Sequence, residues 1–287
     1  MNIVPLVVLC LVILFYLFLI CPKLSRKAEM IAFSKQFIAH RGLWGKGAAE
    51  NTLPAFKNAV KAGYGIELDV RLTRDGEVVV FHDDTLLRAA GIDRRIEEMT
   101  FAELERVRIF EECAAVPKFS AVLAEIQGKV PVIVELKPQK NTKELCAKTA
   151  ALLDLYRGAF CIESFSPAAV FWFRLHRKHF LRGILTTSFF AEKVQVNFFA
   201  KLIQENLLSN FLTYPDFIAC DVRHKKQVSQ FICRYLFAPA VVFWTVQDEK
   251  TLKESLDTGD IFIFDSFVPE TKPPKMVVKP TRNMKLD

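Results

Sequence analysis

Six of the side chains within residues 38–82 are the leading candidates for proton, phosphate or metal chemistry. They are His40, Arg41, Glu50, Glu67, Asp69 and His82. Imidazole titrates near neutral pH and can carry protons, so both histidines are candidate acid/base groups. A guanidinium binds phosphate through a bidentate fork, and carboxylates hold hard divalent ions. This stretch therefore has the parts needed to bind a phosphate group beside a metal and to move protons.

The spacing of the carboxylates predicts that they share one face of a strand. Glu67 and Asp69 are two residues apart, with apolar residues beside and between them, and Glu135 and Lys137 repeat this pattern. Three carboxylates from two strands suit Mg²⁺, Ca²⁺ or Mn²⁺. Lys137 and Arg41 suit a phosphate group. Simple ion pairing inside the protein is the alternative, and the neighbouring histidines make it the weaker interpretation.

The rest of the chain predicts the scaffold that positions these residues. Short β-branched or aromatic segments occur at 36–40, 66–70, 77–82, 131–136, 160–164, 182–186, 216–220, 240–246 and 261–265. Helical patterns occur at 53–62, 100–108, 119–127, 142–155, 167–179, 190–208, 225–236 and 248–257. Strands that alternate with helices predict a parallel sheet. Seven or eight such units in about 230 residues predict a closed α/β barrel with its site at the C-terminal mouth.

Nine candidate strands compete for eight places in such a barrel. Only residues 73–76 separate segment 77–82 from the preceding strand, which is too short for a crossover helix. Asp75-Gly76 is a hairpin signal. A hairpin would bring His82 back roughly opposite Asp69 without adding a barrel strand. A true third parallel strand remains the alternative.

Composition supports a globular protein. The chain has 287 residues, 51% of them apolar and 25% charged, which excludes a disordered chain. The net charge of +7 favours acidic surfaces, with anionic lipid headgroups as the first candidate. Nucleic acid is not an expected partner, since the basic residues are scattered and no nucleic-acid motif occurs. Seven irregularly spaced cysteines without a CxxC argue against a zinc cluster and for buried free thiols.

Residues 3–21 form an uncharged apolar segment of nineteen residues. As a helix it would span roughly 28 Å, close to the thickness of a bilayer core. No basic residue precedes it and no small-residue cleavage site follows it, so we predict an uncleaved single-pass membrane anchor. A cleaved signal and a buried N-terminal helix are the alternatives. Lys23, Arg26 and Lys27 follow directly, which predicts that the catalytic domain faces the cytoplasm.

The predicted organisation therefore has four parts. Residues 1–22 are a transmembrane anchor, and 23–35 are a basic juxtamembrane linker. Residues 36–270 form the catalytic barrel. Residues 271–287 form a basic, proline-containing tail that we expect to be extended and solvated.

A set of short motifs spans nearly all of residues 36–268. They are HRG at 40–42, ENT at 50–52, ELD at 67–69, T-x-DG at 73–76, HD at 82–83, ELK at 135–137, SFSP at 164–167 and WTV at 244–246. Together they resemble the signature of the glycerophosphodiester phosphodiesterase family. The resemblance implies a distorted (β/α)₈ TIM barrel of the phospholipase C-like phosphodiesterase type. It also implies metal-dependent hydrolysis of glycerophosphodiesters to glycerol 3-phosphate and an alcohol.

The resemblance also implies a role for each matching residue. The expected site residues are His40 and His82 as the acid/base pair, Glu67, Asp69 and Glu135 as ligands of one divalent metal ion, and Arg41, Lys137 and Trp244 around the phosphate and substrate. Glu50 is expected near the metal or hydrogen-bonded to His40 or Arg41.

Three positions depart from the family pattern. Ala49 replaces the proline that commonly precedes ENT, Gln247 replaces the asparagine that often follows WTV, and the last strand ends in Phe264-Asp265 rather than Thr-Asp. These departures bear on pocket shape and substrate choice.

Two rival functions remain open. Lysophospholipase D-type hydrolysis of lysophospholipids is favoured by the predicted anchor, the basic charge and the 26 phenylalanines, some of which could line an acyl groove. The second is a non-catalytic, membrane-tethered binding module. The expected partners are a glycerophosphodiester or lysophospholipid and a membrane.

Overall fold

A computed structural model describes residues 3–23, 26–45, 47–111 and 114–276. The strands are β1 (Ile38–His40), β2 (Gly65–Leu72), β3 (Val78–Val80), β4 (Thr85–Leu86), β5 (Ile92–Arg95), β6 (Val132–Leu136), β7 (Phe160–Ser164), β8 (Arg182–Thr186), β9 (Phe217–Asp221), β10 (Ala240–Val246) and β11 (Ile261–Phe264). The α-helices are α1 (Val4–Ile20), α2 (Ile31–Ser34), α3 (Leu53–Ala62), α4 (Leu87–Ala90), α5 (Phe101–Leu104), α6 (Phe119–Ile126), α7 (Thr142–Leu155), α8 (Pro167–His176), α9 (Phe198–Glu205), α10 (Asn210–Thr213), α11 (Val228–Ile232) and α12 (Glu249–Lys253).

Eight parallel strands close into a barrel. The order around the ring is β1, β2, β6, β7, β8, β9, β10 and β11. The ring closes because β1 pairs on both sides: Ile38 is opposite Gly65 of β2 and Ile263 of β11. The predicted closed α/β barrel is confirmed. The carboxyl ends of all eight strands therefore open at one mouth.

Strand β3 returns along β2 as an antiparallel hairpin. Val80 is opposite Val70, and the Phe81 amide donates to the Asp69 carbonyl at 2.9 Å. Gly76 occupies the turn with a φ of +80°, a conformation that favours glycine. The predicted hairpin is confirmed, and it brings His82 back to the level of the metal-binding candidates without adding a barrel strand.

The remaining elements follow the predicted order, but several predicted helices are shorter, and α2 and α10 were not predicted. Residues 84–98, for which we predicted no element, form a small insertion containing β4, α4 and β5. It packs on its own apolar cluster under the hairpin, which includes Phe81, Leu86 and Ile96. The predicted helix 190–208 shortens to α9, because Asn197 caps the helix by accepting from the Ala200 amide.

The amino-terminal end of the barrel is sealed by part of the predicted linker 23–35. Met30 and Phe33 are buried against Ile38 and Phe217 in one apolar cluster. The described cysteines of the barrel, Cys146, Cys161, Cys220 and Cys233, are buried and free. Of the predicted tail 271–287, residues 277–287 lie outside the described part of the chain.

The predicted transmembrane anchor was wrong. Within the described ranges, we find no helix with both the length and the apolar character needed to cross a bilayer. The apolar segment forms α1, which is 17 residues long, and its last turns belong to the barrel. Ile20 is buried and its carbonyl accepts from Asn210 at 2.8 Å, while the Tyr16 hydroxyl donates to Ser229 at 2.9 Å. The single-pass membrane location and the cytoplasmic placement that rested on this anchor are withdrawn.

Candidate active site

The chain turns sharply where β1 ends, and this turn presents the first two site residues. Arg41 has a φ of 57° and Gly42 a φ of 82°. A Cβ on Gly42 would lie 2.9 Å from the Cβ of Ala55, so a larger residue would clash with α3. The HRG motif therefore reflects a tight turn that only glycine fits, and it leaves His40 and Arg41 lining a cavity at the mouth of the barrel.

Three carboxylates meet at the carboxyl ends of β2 and β6. Asp69 is directly opposite Glu135 in the strand register, and Glu67 lies one inward-facing position earlier on β2. All three side chains are buried, and each offers an oxygen within 4.8 Å of the others. Because like charges repel in a dry site, such a group needs a compensating cation.

Lys137 supplies part of this compensation. Its Nζ lies 2.9 Å from Asp69 Oδ1 and 2.7 Å from Glu135 Oε1. Burial opposes the charge of Lys137, but Asp69 and Glu135 outweigh it and raise its pKa. Burial likewise opposes the charge of Asp69, yet Lys137 and other nearby cations hold the pKa of Asp69 well below its usual range. Glu67 stays under-compensated: burial and the charges of Asp69 and Glu135 raise its pKa well above normal.

Arg41 ties the first strand to this carboxylate group. Its backbone amide donates to Glu67 at 3.1 Å, and its Nε lies 3.4 Å from Asp69 Oδ2. Its Nη1 donates to Glu50 at 2.9 Å. Glu50 also accepts from Arg88 of the insertion. Of the two expectations for Glu50, the hydrogen bond to Arg41 is the one observed.

The two histidines each have one ring nitrogen held by a carboxylate. His40 Nδ1 is 2.7 Å from Asp265 Oδ2, and its Nε2 lies 3.9 Å from Glu67 Oε2. Burial lowers the pKa of His40, while the bond to Asp265 works in the opposite direction. His82 Nδ1 is 2.6 Å from Asp83 Oδ1. Each ring is thus held by a carboxylate at Nδ1, and both rings line the same cavity.

A cavity of about 100 Å³ joins these groups. Seven of the predicted site residues line it: His40, Arg41, Glu67, His82, Glu135, Lys137 and Trp244. Asp69 reaches this cavity through its contact with Lys137, and Glu50 through its contact with Arg41. The structure therefore brings all nine predicted site residues into one place, although their chemical roles stay predictions.

Sequence reasoning missed three supporting residues. Asp265 orients His40, and Asn51 donates from Nδ2 to Asp69 at 2.7 Å. Glu163 of β7 lines the same cavity. A signal existed for Glu163, because it follows Cys161 with the same alternation and the same position at a strand end as Glu135. Asp265 also follows a barrel strand directly.

The carboxylate group fits a hard divalent ion. Glu67, Asp69 and Glu135 present only oxygen ligands, the donors that Mg²⁺, Ca²⁺ and Mn²⁺ prefer. Burial and the charges of Asp69 and Glu135 raise the pKa of Glu67, the direction expected where nearby positive charge falls short. A bound cation would remove that deficit.

A second acidic group lies elsewhere at the mouth. Glu192, Asp221 and His224 also bring ligand atoms within 4.8 Å of one another. Here Arg223 already neutralises the carboxylates, at 2.6 Å from Asp221 and 3.3 Å from Glu192. Thr187 donates to Asp221 at 3.0 Å. Because its charges are satisfied internally, this group is the poorer candidate for a metal.

Replacing Asp265 by asparagine is expected to lower kcat by about 10–100-fold, because His40 loses the partner that orients its ring. The Asp265 carboxylate favours the imidazolium form, so its loss lowers the pKa of His40. The limb of the pH–rate profile that His40 contributes should therefore move to lower pH. Steady-state kinetics across this pH range test the prediction. Ser266→Ala removes a different hydrogen bond to Asp265 and serves as the control. An unchanged kcat and an unmoved limb in Asp265→Asn would contradict it.

Comparison with known proteins identifies the family. The model of the glycerophosphoryl diester phosphodiesterase family matches residues 40–265, most of the chain. The chain belongs to that family. Its family membership confirms the resemblance seen in the motifs, and it establishes the chain as a phosphodiesterase of the class that hydrolyses glycerophosphodiesters. The alternative of a non-catalytic binding module is therefore not supported.

Family members from several organisms resemble this chain. YhdW of Bacillus subtilis (strain 168), a candidate glycerophosphodiester phosphodiesterase, is 26% identical over 75% of this chain and 87% of its own length. The Homo sapiens lysophospholipase D GDPD1 is 40% identical over 31% of this chain and 28% of its own length. A phosphodiesterase from Oleispira antarctica, solved with the product sn-glycerol-3-phosphate, matches the fold with a TM-score of 0.65 at 22% identity, over 80% of this chain and 92% of that one.

Proposed function

We propose that this phosphodiesterase hydrolyses glycerophosphodiesters to glycerol 3-phosphate and an alcohol, using one divalent cation and the two histidines His40 and His82. The observation that carries the proposal is the single cavity lined by both imidazoles, Arg41, Lys137 and two of the three buried carboxylates. Phosphoryl transfer uses proton carriers, phosphate-binding cations and oxygen ligands for a metal, and this cavity of about 100 Å³ brings all three together.

Each group has a part in the proposed reaction. Glu67, Asp69 and Glu135 would hold the cation, which would draw negative charge from the phosphoryl oxygens when bound. Arg41 and Lys137 bind the phosphate oxygens and stabilise the charge that develops on them. One histidine takes the proton of the nucleophile, which is water or a neighbouring hydroxyl of the substrate, and the other gives a proton to the departing alkoxide. If the substrate hydroxyl attacks, water then opens the cyclic phosphate that forms.

The environment of the two rings supports this division of labour. Each Nδ1 is held by a carboxylate, Asp265 for His40 and Asp83 for His82. A carboxylate at Nδ1 fixes the tautomer and stabilises the imidazolium that forms during proton transfer. Trp244 borders the same cavity and packs edge-on against Phe165, with ring centroids 5.5 Å apart, so it gives the leaving alcohol an apolar wall.

The test is hydrolysis of glycerophosphocholine with and without chelator. We expect EDTA to abolish release of glycerol 3-phosphate, and Mg²⁺, Ca²⁺ or Mn²⁺ to restore it. Elemental analysis verifies that the chelated enzyme is free of metal. If that metal-free enzyme still turns over at the original rate, the cation requirement is contradicted.

A second candidate activity is lysophospholipase D-type hydrolysis of lysophospholipids. A larger cavity of about 460 Å³ adjoins the proposed site and shares Phe165 and Trp244 with it. Phe189, Val194 and Val196 also line it, which makes it suitable for an acyl chain. Release of choline from lysophosphatidylcholine, compared with glycerophosphocholine at equal concentrations below the critical micelle concentration, distinguishes the two. A much higher kcat/KM for the lysolipid would favour this second activity.

A further inference from the structure

Glu163 is a buried carboxylate in the proposed site that the reaction above does not use. It lies on β7, directly opposite Glu135 of β6 and Gly183 of β8. Its residue is only 1% exposed, and its side chain borders the cavity that holds the two histidines. Its position is therefore inside the barrel mouth and on the same layer as the carboxylate group.

Glu163 is only weakly compensated by the residues that the structure describes. In the described part of the chain, its Oε2 is buried and makes no hydrogen bond. Burial and the charge of Glu135 raise its pKa, and Lys137 only partly offsets them. Burying an unpaired carboxyl group lowers the stability of the folded protein by several kcal/mol. Such groups are therefore rare unless they bind a ligand.

Asp221 shows what a satisfied buried acid looks like in the same barrel. It lies at the end of β9 and is as deeply buried as Glu163. Arg223 approaches it at 2.6 Å and Thr187 donates to it at 3.0 Å. The barrel can therefore compensate an interior carboxylate with its own side chains, whereas in the described part of the chain Glu163 Oε2 has no hydrogen-bond partner.

The register connects Glu163 to the proposed cation site. Asp69, Glu135 and Glu163 lie side by side on three adjacent strands, with Asp69 opposite Glu135 and Glu135 opposite Glu163. Glu163 is thus the next carboxylate in a row that already contains two candidate ligands. It is one strand further from Glu67 than Glu135 is, so it extends the group outward.

We propose that Glu163 is an outer carboxylate of the cation site, which accepts a hydrogen bond from water carried by the bound divalent ion. This inference rests on the cation requirement proposed above. Carboxylates that orient metal-bound groups are a common part of metal sites, and their loss typically weakens metal affinity by about 10–100-fold. A role in binding a substrate hydroxyl is the competing assignment, and it predicts an altered KM with unchanged metal affinity.

The test measures Mn²⁺ affinity in the absence of substrate, by the electron paramagnetic resonance signal of the free ion. Glu163→Met keeps the length of the side chain but removes both charge and acceptor, and we expect its Kd for Mn²⁺ to rise about 10–100-fold. Glu163→Gln keeps the shape and one acceptor oxygen, so a smaller loss is expected. Cys161→Ala, two residues earlier on the same face, is the control for disturbed packing, and it should leave the Kd unchanged.

Thermal unfolding provides a second readout. Without metal, removal of the unpaired acid should leave Tm unchanged or raised in both Glu163 variants, whereas Cys161→Ala lowers it by creating a cavity. Added Mn²⁺ should raise Tm less in the Glu163 variants than in the wild type.

Three outcomes separate the possible failures. A wild-type protein that binds no Mn²⁺ overturns the proposed cation requirement itself. Mn²⁺ binding in the wild type with a Kd within about threefold in both Glu163 variants overturns the assignment of Glu163 alone. Should the methionine variant fail to fold, an unchanged Kd in the glutamine variant overturns that assignment as well.

Discussion

Replacing His40 or His82 by alanine is expected to abolish measurable turnover while the barrel stays folded. General acid–base groups typically contribute about 10²–10⁴-fold each to a rate. The two rings face one cavity and each has a dedicated carboxylate partner, so neither can take over the work of the other. Both side chains lie at the mouth and outside the main apolar clusters, so we expect little loss of stability.

The measurement is kcat and KM on glycerophosphocholine, with circular dichroism and Tm recorded for each variant. His179→Ala is the matched control, because His179 is an exposed histidine on the outside of the barrel and should leave kcat unchanged. Near-normal turnover in a folded His40→Ala or His82→Ala variant would remove the acid/base assignment of that residue.

Replacing Asp69 by asparagine is expected to weaken Mn²⁺ binding by more than about 100-fold and to lower kcat/KM at least as much, since the change removes a proposed ligand of the cation. Asp69 is fully buried and is contacted by Lys137, Arg41 and Asn51. It is therefore the centre of the charge network as well as a candidate ligand. Lys137 keeps Glu135 at 2.7 Å in the variant, so its ammonium is not left alone and the fold should survive.

Asp221→Asn is the matched control for Asp69→Asn. Asp221 is equally buried at the end of a barrel strand, but it belongs to the acidic group that Arg223 neutralises. We expect this control to leave Mn²⁺ affinity unchanged. An Asp69→Asn variant with wild-type affinity would show that the cation, if bound, lies elsewhere, and a loss of affinity in Asp221→Asn would point to the second group.

The barrel was predictable because its signals are local. Alternation of strand and helix, and the Asp75-Gly76 turn, each act over a few residues and are decided by backbone sterics and side-chain periodicity. The insertion at 84–98 escaped prediction for the same reason. Its longest strand, Ile92–Arg95, is mostly charged and lacks an apolar alternation, so tertiary pairing rather than propensity makes it a strand.

The N-terminal helix shows where hydropathy stops being informative. An apolar segment has the same hydropathy whether it packs against lipid tails or against protein side chains. Here Ile20 and Tyr16 form hydrogen bonds with residues on α10 and α11. No local sequence pattern in residues 3–21 predicts these contacts. The contact of Asp265 with His40 was not predicted for a similar reason. Its partner His40 is 225 positions away, and only closure of the ring makes them neighbours.

That last contact links the proposed role of His40 to closure of the barrel. His40 ends the first barrel strand and Asp265 follows the last, so the imidazole has no orienting partner until the two margins of the sheet have met. A chain that still lacks its final strand could already bring Glu67, Asp69 and Glu135 together on β2 and β6. Its His40 ring, however, would lack the Asp265 carboxylate that orients it. If His40 acts as proposed, activity regained during refolding should therefore reach its full value only after the first and last barrel strands have paired.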